Sequence, residues 1–288
     1  MINRDKIYFD DGADKWISES YAEGGSMAET RLDVVNNLIS QRASISILDV
    51  GCGDGRFLNK LDQKSHKVGI DFSKTMINLA KTRNPEIPFY NIDLNNTASL
   101  QKLSKLGTFD CITMMGVVHY LPKPSLTLAN VANCLSKNAD FIISFRNRLF
   151  NINSHSKYHG SELTRRDHKM LTQELEVWKQ NEFLNVDLLE QIKTESEGES
   201  LLQISKDLDF LEGTNDDQWN PDGFDNWRQF TPINSISLLE RAGLKSTRLI
   251  PLNENIVNLE KFSLMASDDK AAMLLASSSF LIVAKRIN

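Results

Sequence analysis

Three glycines spaced by single residues follow a short apolar run, and this pattern constrains the fold more than any other feature of the chain. The run extends from Ile45 to Val50, and its β-branched residues are typical of a buried parallel strand. Gly51, Gly53 and Gly55 end the strand, because residues without a Cβ can take a positive φ and let the backbone approach a ligand. A helix is predicted to follow at residues 56–61, with its free N–H groups facing the same space. The sequence therefore predicts a strand, a tight turn and a helix that bind a nucleotide-type ligand.

The spacing within the turn separates two classes of nucleotide site. A dinucleotide fingerprint, G-x-G-x-x-G, needs a third glycine where this chain has Arg56, whereas Asp49 completes the pattern D-x-G-x-G-x-G. Asp71 closes a second short strand, residues 67–70, about 20 residues after Gly51, where a parallel strand presents a carboxylate to a ribose diol. An acid at this position occurs in dehydrogenases and in methyltransferases, so Asp71 does not separate the two classes. The glycine pattern, in contrast, resembles the first motif of the class I S-adenosylmethionine-dependent methyltransferase family.

Two further segments extend this resemblance. The strand at residues 87–92 ends in Asp93 and Leu94, and the acid is similar to the family residue that accepts a hydrogen bond from the adenine amino group. Residues 109–122 look like the family segment FDxVxxxxVLHHL. The resemblance covers a little over half of the chain and implies S-adenosyl-L-methionine as cofactor, with S-adenosyl-L-homocysteine as its product. The cofactor-binding residues that it implies here are Asp49, Gly51, Cys52, Gly53, Asp71, Phe72, Met76, Asp93, Leu94 and Met115.

Alternating strands and helices between residues 44 and 145 predict a parallel sheet with right-handed crossovers. Two later strands, at residues 244–251 and 279–287, resemble the antiparallel terminal hairpin of the family. The predicted fold class is α/β: a seven-stranded Rossmann-like methyltransferase sheet, mostly parallel with an antiparallel terminal hairpin, helices on both faces and a mostly helical lid insertion. The predicted domains are an N-terminal helical cap at residues 1–43, a cofactor-binding core at residues 44–145 and 231–288, and an inserted substrate-binding lid at residues 146–230.

The N-terminal segment carries aromatic residues at helical spacing ahead of the first strand. The resemblance implies that such a cap folds over the cofactor, with Tyr8 or Tyr21 in contact with it and Arg31 binding its methionyl carboxylate. The alternative is that the aromatic residues pack against the sheet edge and that Arg31 is solvated on its helix.

The insertion follows the fifth strand, and ligands of open α/β sheets bind beyond the carboxyl ends of the strands. Arg146 and Arg148 stand at its root, and arginine forks match phosphate and carboxylate groups. Both are therefore predicted to bind the substrate, together with His119 and Tyr120. The alternative is that the two arginines pair with acids of the lid itself.

His119 is the candidate catalytic residue, because family members often carry His or Glu at this place and a pKa of about 6.5 suits a general base. Tyr120 departs from the second histidine of the family segment, which weakens a paired-histidine mechanism. A positioning role for His119 is the alternative. His155 and His159 have the i, i+4 spacing of metal ligands but lack the H-E-x-x-H pattern, so no metal is predicted.

Composition disfavours other classes of protein. The net charge of −5 provides no global basic field for nucleic acid or an anionic membrane, although a local basic patch stays open. No run approaches the roughly 18 apolar residues of a membrane helix, and the first residues lack the apolar core of a signal peptide, so a cytoplasmic location is expected. Cys52, Cys111 and Cys134 are odd in number and widely spaced, which predicts buried thiols rather than a disulfide or a zinc site.

The predicted function is methyl transfer from S-adenosylmethionine to an oxygen or nitrogen of a small polar molecule, anionic molecules included. An NAD-type oxidoreductase is one alternative, disfavoured by Arg56 and by the terminal strand pair. A non-catalytic cofactor-binding or assembly protein is the other.

Overall fold

A seven-stranded sheet forms the centre of the molecule in a computed structural model that describes residues 7–20, 27–40, 45–61, 65–152, 168–180, 228–252 and 265–287. The strand order is β3-β2-β1-β4-β5-β7-β6. Only β7 runs antiparallel to its neighbours, so six strands share one direction, and the predicted seven-stranded sheet with an antiparallel terminal hairpin is confirmed. The strands are β1 (Ser46–Val50), β2 (His66–Asp71), β3 (Phe89–Asn91), β4 (Phe109–Met114), β5 (Leu135–Arg146), β6 (Leu244–Leu252) and β7 (Ser279–Arg286).

Apolar strand residues fix β1 in the middle of the sheet. Ile47, Leu48 and Val50 have no solvent exposure, as expected for a strand that is covered on both faces. Val50 lies beside Ile70 of β2 and Met114 of β4. The carboxyl ends of these three parallel strands therefore open on the same edge of the sheet.

Helices connect and flank the strands. A single π-helical turn at Ile7–Asp11 comes first, and short 3-10 helices lie at Ser104–Leu106, Val118–Tyr120 and Arg148–Ile152. The α-helices are α1 (Ala13–Ser20), α2 (Met27–Ile39), α3 (Arg56–Lys60), α4 (Lys74–Arg83), α5 (Thr97–Leu103), α6 (Pro124–Ala132), α7 (His168–Gln180), α8 (Pro232–Arg241) and α9 (Ser267–Ala276). Among the described helices, none has the length and apolar character needed to cross a membrane.

From the sequence alone, a helix is predicted at residues 125–135 and the fifth strand at residues 138–145, and the structure differs at the boundary between them. Helix α6 ends at Ala132, and β5 already begins at Leu135, which is buried and pairs with Phe109. Asn138 takes a φ of 63° where the register between β4 and β5 shifts. The irregular backbone lets the strand start earlier than its apolar run suggests.

The two ends of the predicted lid lie side by side at the carboxyl end of β5. Asn147 and Phe230 form an isolated parallel bridge. The Phe230 N–H donates to the Arg146 carbonyl, and the Arg148 N–H donates to the Phe230 carbonyl, both at 2.9 Å. Between these ends, the structure describes only residues 148–152, 168–180 and 228–229. The division of the chain into cap, core and lid stays a prediction.

Helix α7 packs against the rest of the protein through Leu171, Leu175 and Trp178, which are all buried. Glu174 on the same face is also buried and accepts hydrogen bonds from the Ile233 N–H (2.9 Å) and from Trp178 Nε1 (3.2 Å). Burial raises the pKa of Glu174, while these hydrogen bonds oppose the rise. A buried carboxylate at the start of α8 thus ties the described helix of the insertion to the core.

Candidate functional site

The glycine turn after β1 is built for close contact. The N–H groups of Gly51 and Cys52 donate to the Ile70 carbonyl at 2.8 and 3.0 Å, which holds the turn against the end of β2. Gly51 has a φ of 75°, and a Cβ there would lie 2.2 Å from Cγ2 of Val117. At Gly53, with a φ of 52°, a Cβ would meet nothing within 4 Å. The turn therefore packs against Val117 on one side and faces open space at Gly53.

Asp71 holds this turn at the end of β2. Its Oδ2 accepts from the Gly53 N–H (3.0 Å) and its Oδ1 from the Ser73 N–H (2.8 Å). Burial raises the pKa of Asp71 to about 6, and the two backbone hydrogen bonds oppose the rise. Each carboxylate oxygen has a second lone pair, so Asp71 can also accept from a ribose diol.

A first cavity lies between the glycine turn and the ends of β2, β3 and β4. It is lined by Phe9, Gly51, Gly53, Ile70, Asp71, Phe72, Met76, Ile92, Asp93, Leu94, Asn95, Met115, Gly116, Val117, Tyr120 and Leu121. Its walls are mainly apolar, and its two acids are Asp71 and the half-buried Asp93. This combination fits an adenosine group, with a flat apolar base and a polar ribose. Of the predicted cofactor residues, the structure brings Gly51, Gly53, Asp71, Phe72, Met76, Asp93, Leu94 and Met115 together here.

A second cavity adjoins the first and shares Phe9, Gly51, Gly53, Met115, Gly116 and Tyr120 with it. The remaining residues of its lining are Arg31, Leu32, Asp49, Cys52, Asp54, Arg56, Phe57, His119 and Arg146. Five further predicted site residues therefore meet here: Arg31, Asp49, Cys52, His119 and Arg146. Arg31 reaches this cavity from α2, since its Nη1 lies 3.2 Å from the place that a Cβ on Gly116 would occupy.

Asp49 lies beneath the glycine turn with almost no exposure. Its Oδ1 accepts from the hydroxyl of Thr113 on β4 at 2.7 Å. Burial raises the pKa of Asp49 to about 7. The hydrogen bond from Thr113 opposes this rise, whereas the charge of Asp71 adds to it. A cation bound in this cavity would keep Asp49 ionised.

His119 and Tyr120 follow β4 in the short helix at Val118–Tyr120, and their rings lie 4.2 Å apart. Burial lowers the pKa of His119 well below its ordinary value, and the charges of Arg146 and Arg31 lower it further. Burial raises the pKa of Tyr120 to about 12, although Arg146 opposes this through its charge and a hydrogen bond. Both side chains are therefore neutral at neutral pH.

Five other residues that sequence analysis singled out either line neither cavity or lie outside the described residues. Arg148 lines neither cavity, and its charge acts instead on Glu174. Tyr21, His155 and His159 lie outside the described residues. Tyr8 is described but lines neither cavity.

Metal and disulfide chemistry find no support in the part of the chain that is described. Within it, no three His, Cys, Asp or Glu residues are grouped so as to hold a metal ion. All three cysteines are free and buried.

Sequence analysis missed Phe9, which lines both cavities. Its ring makes edge contacts with Phe72 at 5.8 Å and with Tyr120 at 5.4 Å between centroids. The backbone beside it is anchored by Ser73, whose hydroxyl lies 2.9 Å from the Phe9 carbonyl and 2.6 Å from Oδ1 of Asp10. The aromatic pair Tyr8–Phe9 was the signal, but which of the two rings faces the cavity depends on the π-helical turn.

Arg228 was also missed. It is buried at the end of the insertion and donates through its guanidinium to the carbonyls of Leu121 and Pro122. Its N–H donates to the His119 carbonyl at 3.1 Å. The insertion thus holds the loop that carries His119 and Tyr120.

Comparisons with known proteins agree with this geometry. Residues 48–141 match a family model described as a methyltransferase domain. Malonyl-[acyl-carrier protein] O-methyltransferase of Bacillus cereus is 30% identical over 123 residues, which are 41% of this chain and 44% of that protein. Ubiquinone biosynthesis O-methyltransferase of Nitrosococcus oceani is 31% identical over 123 residues, which are 41% of this chain and 50% of that protein. The chain thus spans about half the length of these curated relatives.

Solved structures of other proteins share this fold. Magnesium protoporphyrin IX methyltransferase from Synechocystis, with bound S-adenosylmethionine, has a TM-score of 0.52 at 14% identity and covers 99% of this chain and 98% of its own. A putative methyltransferase of Haloferax volcanii, in complex with the Trm112 activator, has a TM-score of 0.54 at 13% identity and covers 100% of this chain and 98% of its own. At these identities the likeness concerns the fold alone.

Proposed function

Since the chain contains a methyltransferase domain of the class I S-adenosylmethionine-dependent family, we propose that it transfers a methyl group from S-adenosylmethionine to an oxygen or nitrogen of a small polar molecule. The observation that carries this proposal is the glycine turn tied to Asp71, which opens on two adjoining cavities of different character. The names of the curated relatives, all O-methyltransferases, favour oxygen.

The residues of the first cavity fit the adenosine part of this cofactor. Asp71 would accept from the ribose hydroxyls, and Asp93 from the adenine amino group, as the family resemblance implies. Phe72, Met76 and Leu94 would enclose the base, because they line this cavity and apolar contact favours a flat ring.

The second cavity fits the methionyl part. Arg31 would bind its carboxylate, and Asp49 would bind its ammonium group. Asp54 also lines this cavity, but Arg56 binds its Oδ2 at 2.7 Å and Arg83 binds the same oxygen. These contacts hold the pKa of Asp54 below its ordinary value even though burial opposes this. Arg56 therefore replaces the third glycine of a dinucleotide turn with an ion pair, which disfavours the NAD-type alternative.

S-adenosylmethionine, when bound, supplies an electrophilic methyl group on a sulfonium that leaves as a neutral thioether. The protein can then act mainly by holding the acceptor in line and by excluding water. His119 is buried and neutral, and its low pKa makes it a weak base. We assign it to orienting the acceptor, and its general-base role stays a prediction.

Calorimetric titration of the full chain with S-adenosylmethionine, S-adenosylhomocysteine and NAD tests the proposal. We expect binding of the first two and none of NAD. Asp71→Ala is expected to weaken the binding of S-adenosylmethionine and of S-adenosylhomocysteine by about 10- to 100-fold, because hydrogen bonds to a charged group contribute about 1.5–3 kcal/mol. The matched control is Asp33→Ala, whose carboxylate is 64% exposed on α2.

Three results would count against the proposal. Binding of NAD alone would favour the oxidoreductase. Equal losses in Asp71→Ala and Asp33→Ala would refute the role of Asp71. Binding of S-adenosylmethionine without conversion to S-adenosylhomocysteine in the presence of any acceptor would favour the non-catalytic alternative. The cytoplasmic location and the lack of a nucleic-acid partner stay predictions from the sequence.

A further inference from the structure

The second half of the glycine turn has a buried carboxylate in its middle. Asp54 is 2% exposed, and its Oδ2 is bound by both Arg56 and Arg83. Burial alone would raise the pKa of Asp54, but the hydrogen bonds and charges of the two arginines outweigh it and hold the pKa below its ordinary value. Asp54 is therefore ionised, and a buried carboxylate of this kind depends on its cationic partners.

Arg83 reaches this carboxylate from the last turn of α4. Its Nη1 binds Oδ2 of Asp54 and lies 3.5 Å from the Asp54 carbonyl oxygen. The next residue, Asn84, is buried, and its Nδ2 donates to the Gly55 carbonyl at 3.3 Å. A Cβ on Gly55 would lie 2.9 Å from the same Nδ2. The end of α4 is therefore packed directly against the turn.

The first turn of α4 is tied to the same glycine turn. Ser73 is the N-cap of this helix. Its N–H donates to Asp71, which also accepts from the Gly53 N–H. Helix α4 is thus linked to the glycine turn at both ends, through Asp71 at its start and through Arg83 at its end. A side chain at the far end of the helix can then support backbone that faces a ligand.

The linings of the two cavities separate the effect of Arg83 from that of Asp71. Asp54 lines the second cavity and not the first, whereas Asp71 lines the first. Arg83 lines neither cavity, and its side chain is 39% exposed. An effect of Arg83 on binding would therefore pass through Asp54 and concern the part of the ligand that lies in the second cavity.

We propose that Arg83 is a positioning residue for the methionyl half of the cofactor site, where it holds Asp54 and, with it, the second half of the glycine turn. This rests on the proposed function, which assigns the methionyl group to the second cavity. Without Arg83, Asp54 loses one of the two arginines that bind it, and the turn loses one of its links to α4. A turn that is less well held must be ordered by the ligand, which weakens binding.

Two ligands separate this role from a general loss of stability. S-adenosylhomocysteine carries the amino acid group, whereas methylthioadenosine has the adenosine and the sulfur but lacks that group. In calorimetric titrations of Arg83→Gln, we expect the Kd of S-adenosylhomocysteine to rise about 10-fold, as for one hydrogen bond to a charged group, and that of methylthioadenosine to stay within about twofold. The matched control is Lys81→Gln, which removes the same charge from an exposed position of the same helix and should change neither Kd.

The outcomes separate this proposal from the function on which it rests. An unchanged Kd of S-adenosylhomocysteine in Arg83→Gln would overturn the role of Arg83 and leave the proposed function standing. Equal losses for the two ligands would also overturn it, because the effect would then not be confined to the methionyl half. If the wild type binds neither ligand, the proposed function fails and the role of Arg83 falls with it.

A double-mutant cycle tests the route through Asp54. Asp54→Asn is expected to raise the Kd of S-adenosylhomocysteine at least as much as Arg83→Gln does, because it weakens both ion pairs at once. Adding Arg83→Gln to Asp54→Asn should then change the Kd by less than about twofold, since the two residues act as a unit. Losses that multiply in the double variant would overturn the proposal, because Arg83 would then act through other contacts.

Discussion

Asp49→Asn is expected to stabilise the protein without its cofactor, and to do so increasingly as the pH rises. Burial moves the pKa of Asp49 from 3.8 to about 7. At about 1.4 kcal/mol per tenfold change in proton affinity, ionising Asp49 costs about 4 kcal/mol more in the folded chain than in the unfolded chain. Because the folded pKa is raised, this stability is complete below about pH 4 and is lost as the pH rises through about 7.

The neutral amide removes this dependence and can still accept from the Thr113 hydroxyl. Its own desolvation cost does not change with pH, so it cancels when two pH values are compared. Between pH 5 and pH 8, the difference in free energy of unfolding between Asp49→Asn and the wild type should shift by about 2–3 kcal/mol in favour of the variant.

Urea unfolding of the cofactor-free protein at pH 5 and pH 8 measures this difference. Asp33→Asn is the control, because exposed carboxylates contribute little. A difference between Asp49→Asn and the wild type that is equal at both pH values would refute the buried-carboxylate reasoning.

Three further predictions concern a residue that lines the cavities and two residues that hold segments next to them. Gly53→Ala and its control Gly243→Ala each place a Cβ in open space at a left-handed backbone position, which costs about 1–2 kcal/mol. Only Gly53 lines the cavities, so calorimetry should find weaker S-adenosylhomocysteine binding in Gly53→Ala alone. Equal affinities of the two variants would contradict this. Arg228→Gln should lower the free energy of unfolding by about 2 kcal/mol or more and speed amide hydrogen exchange in the loop after β4, and unchanged exchange there would show that other contacts hold the loop. Asp10→Ala removes two hydrogen bonds at the start of α4 and should lower the free energy of unfolding, measured by thermal unfolding, by about 1–2 kcal/mol. The control is Asp14→Ala, at an exposed position, and an equal loss there would show that the effect does not come from these hydrogen bonds.

The position of the acids at the carboxyl ends of the strands was predictable from the sequence. The local pattern of residues gives the end of each strand, and in a parallel sheet these ends lie at the same edge. Asp49 and Asp71 end apolar runs, and such ends meet at one edge of the sheet. The structure places both acids at the glycine turn, although their roles in binding stay predictions. Local pattern did not give the start of β5, because Leu135 pairs with Phe109 across an irregular register that no short run of residues encodes.

The contacts of Phe9 and Arg228 depend on packing between distant parts of the chain. Phe9 meets Phe72 and Tyr120, which lie about 60 and 110 residues away in sequence. Arg228 reaches the carbonyl of Leu121 from the far end of the insertion. Neither partner can be read from residue type or spacing, since an aromatic pair or a lone arginine is compatible with many neighbours.

The position of Phe9 has a consequence for the timing of turnover. Its ring touches Phe72 on one wall of the first cavity and Tyr120 on the other. The N-terminal segment is therefore in contact with two separate elements of this cavity through a single ring. With the proposed cofactor bound in the cavity, we expect the residence time of S-adenosylhomocysteine to depend on these two contacts, because a segment that closes over a ligand often controls its release.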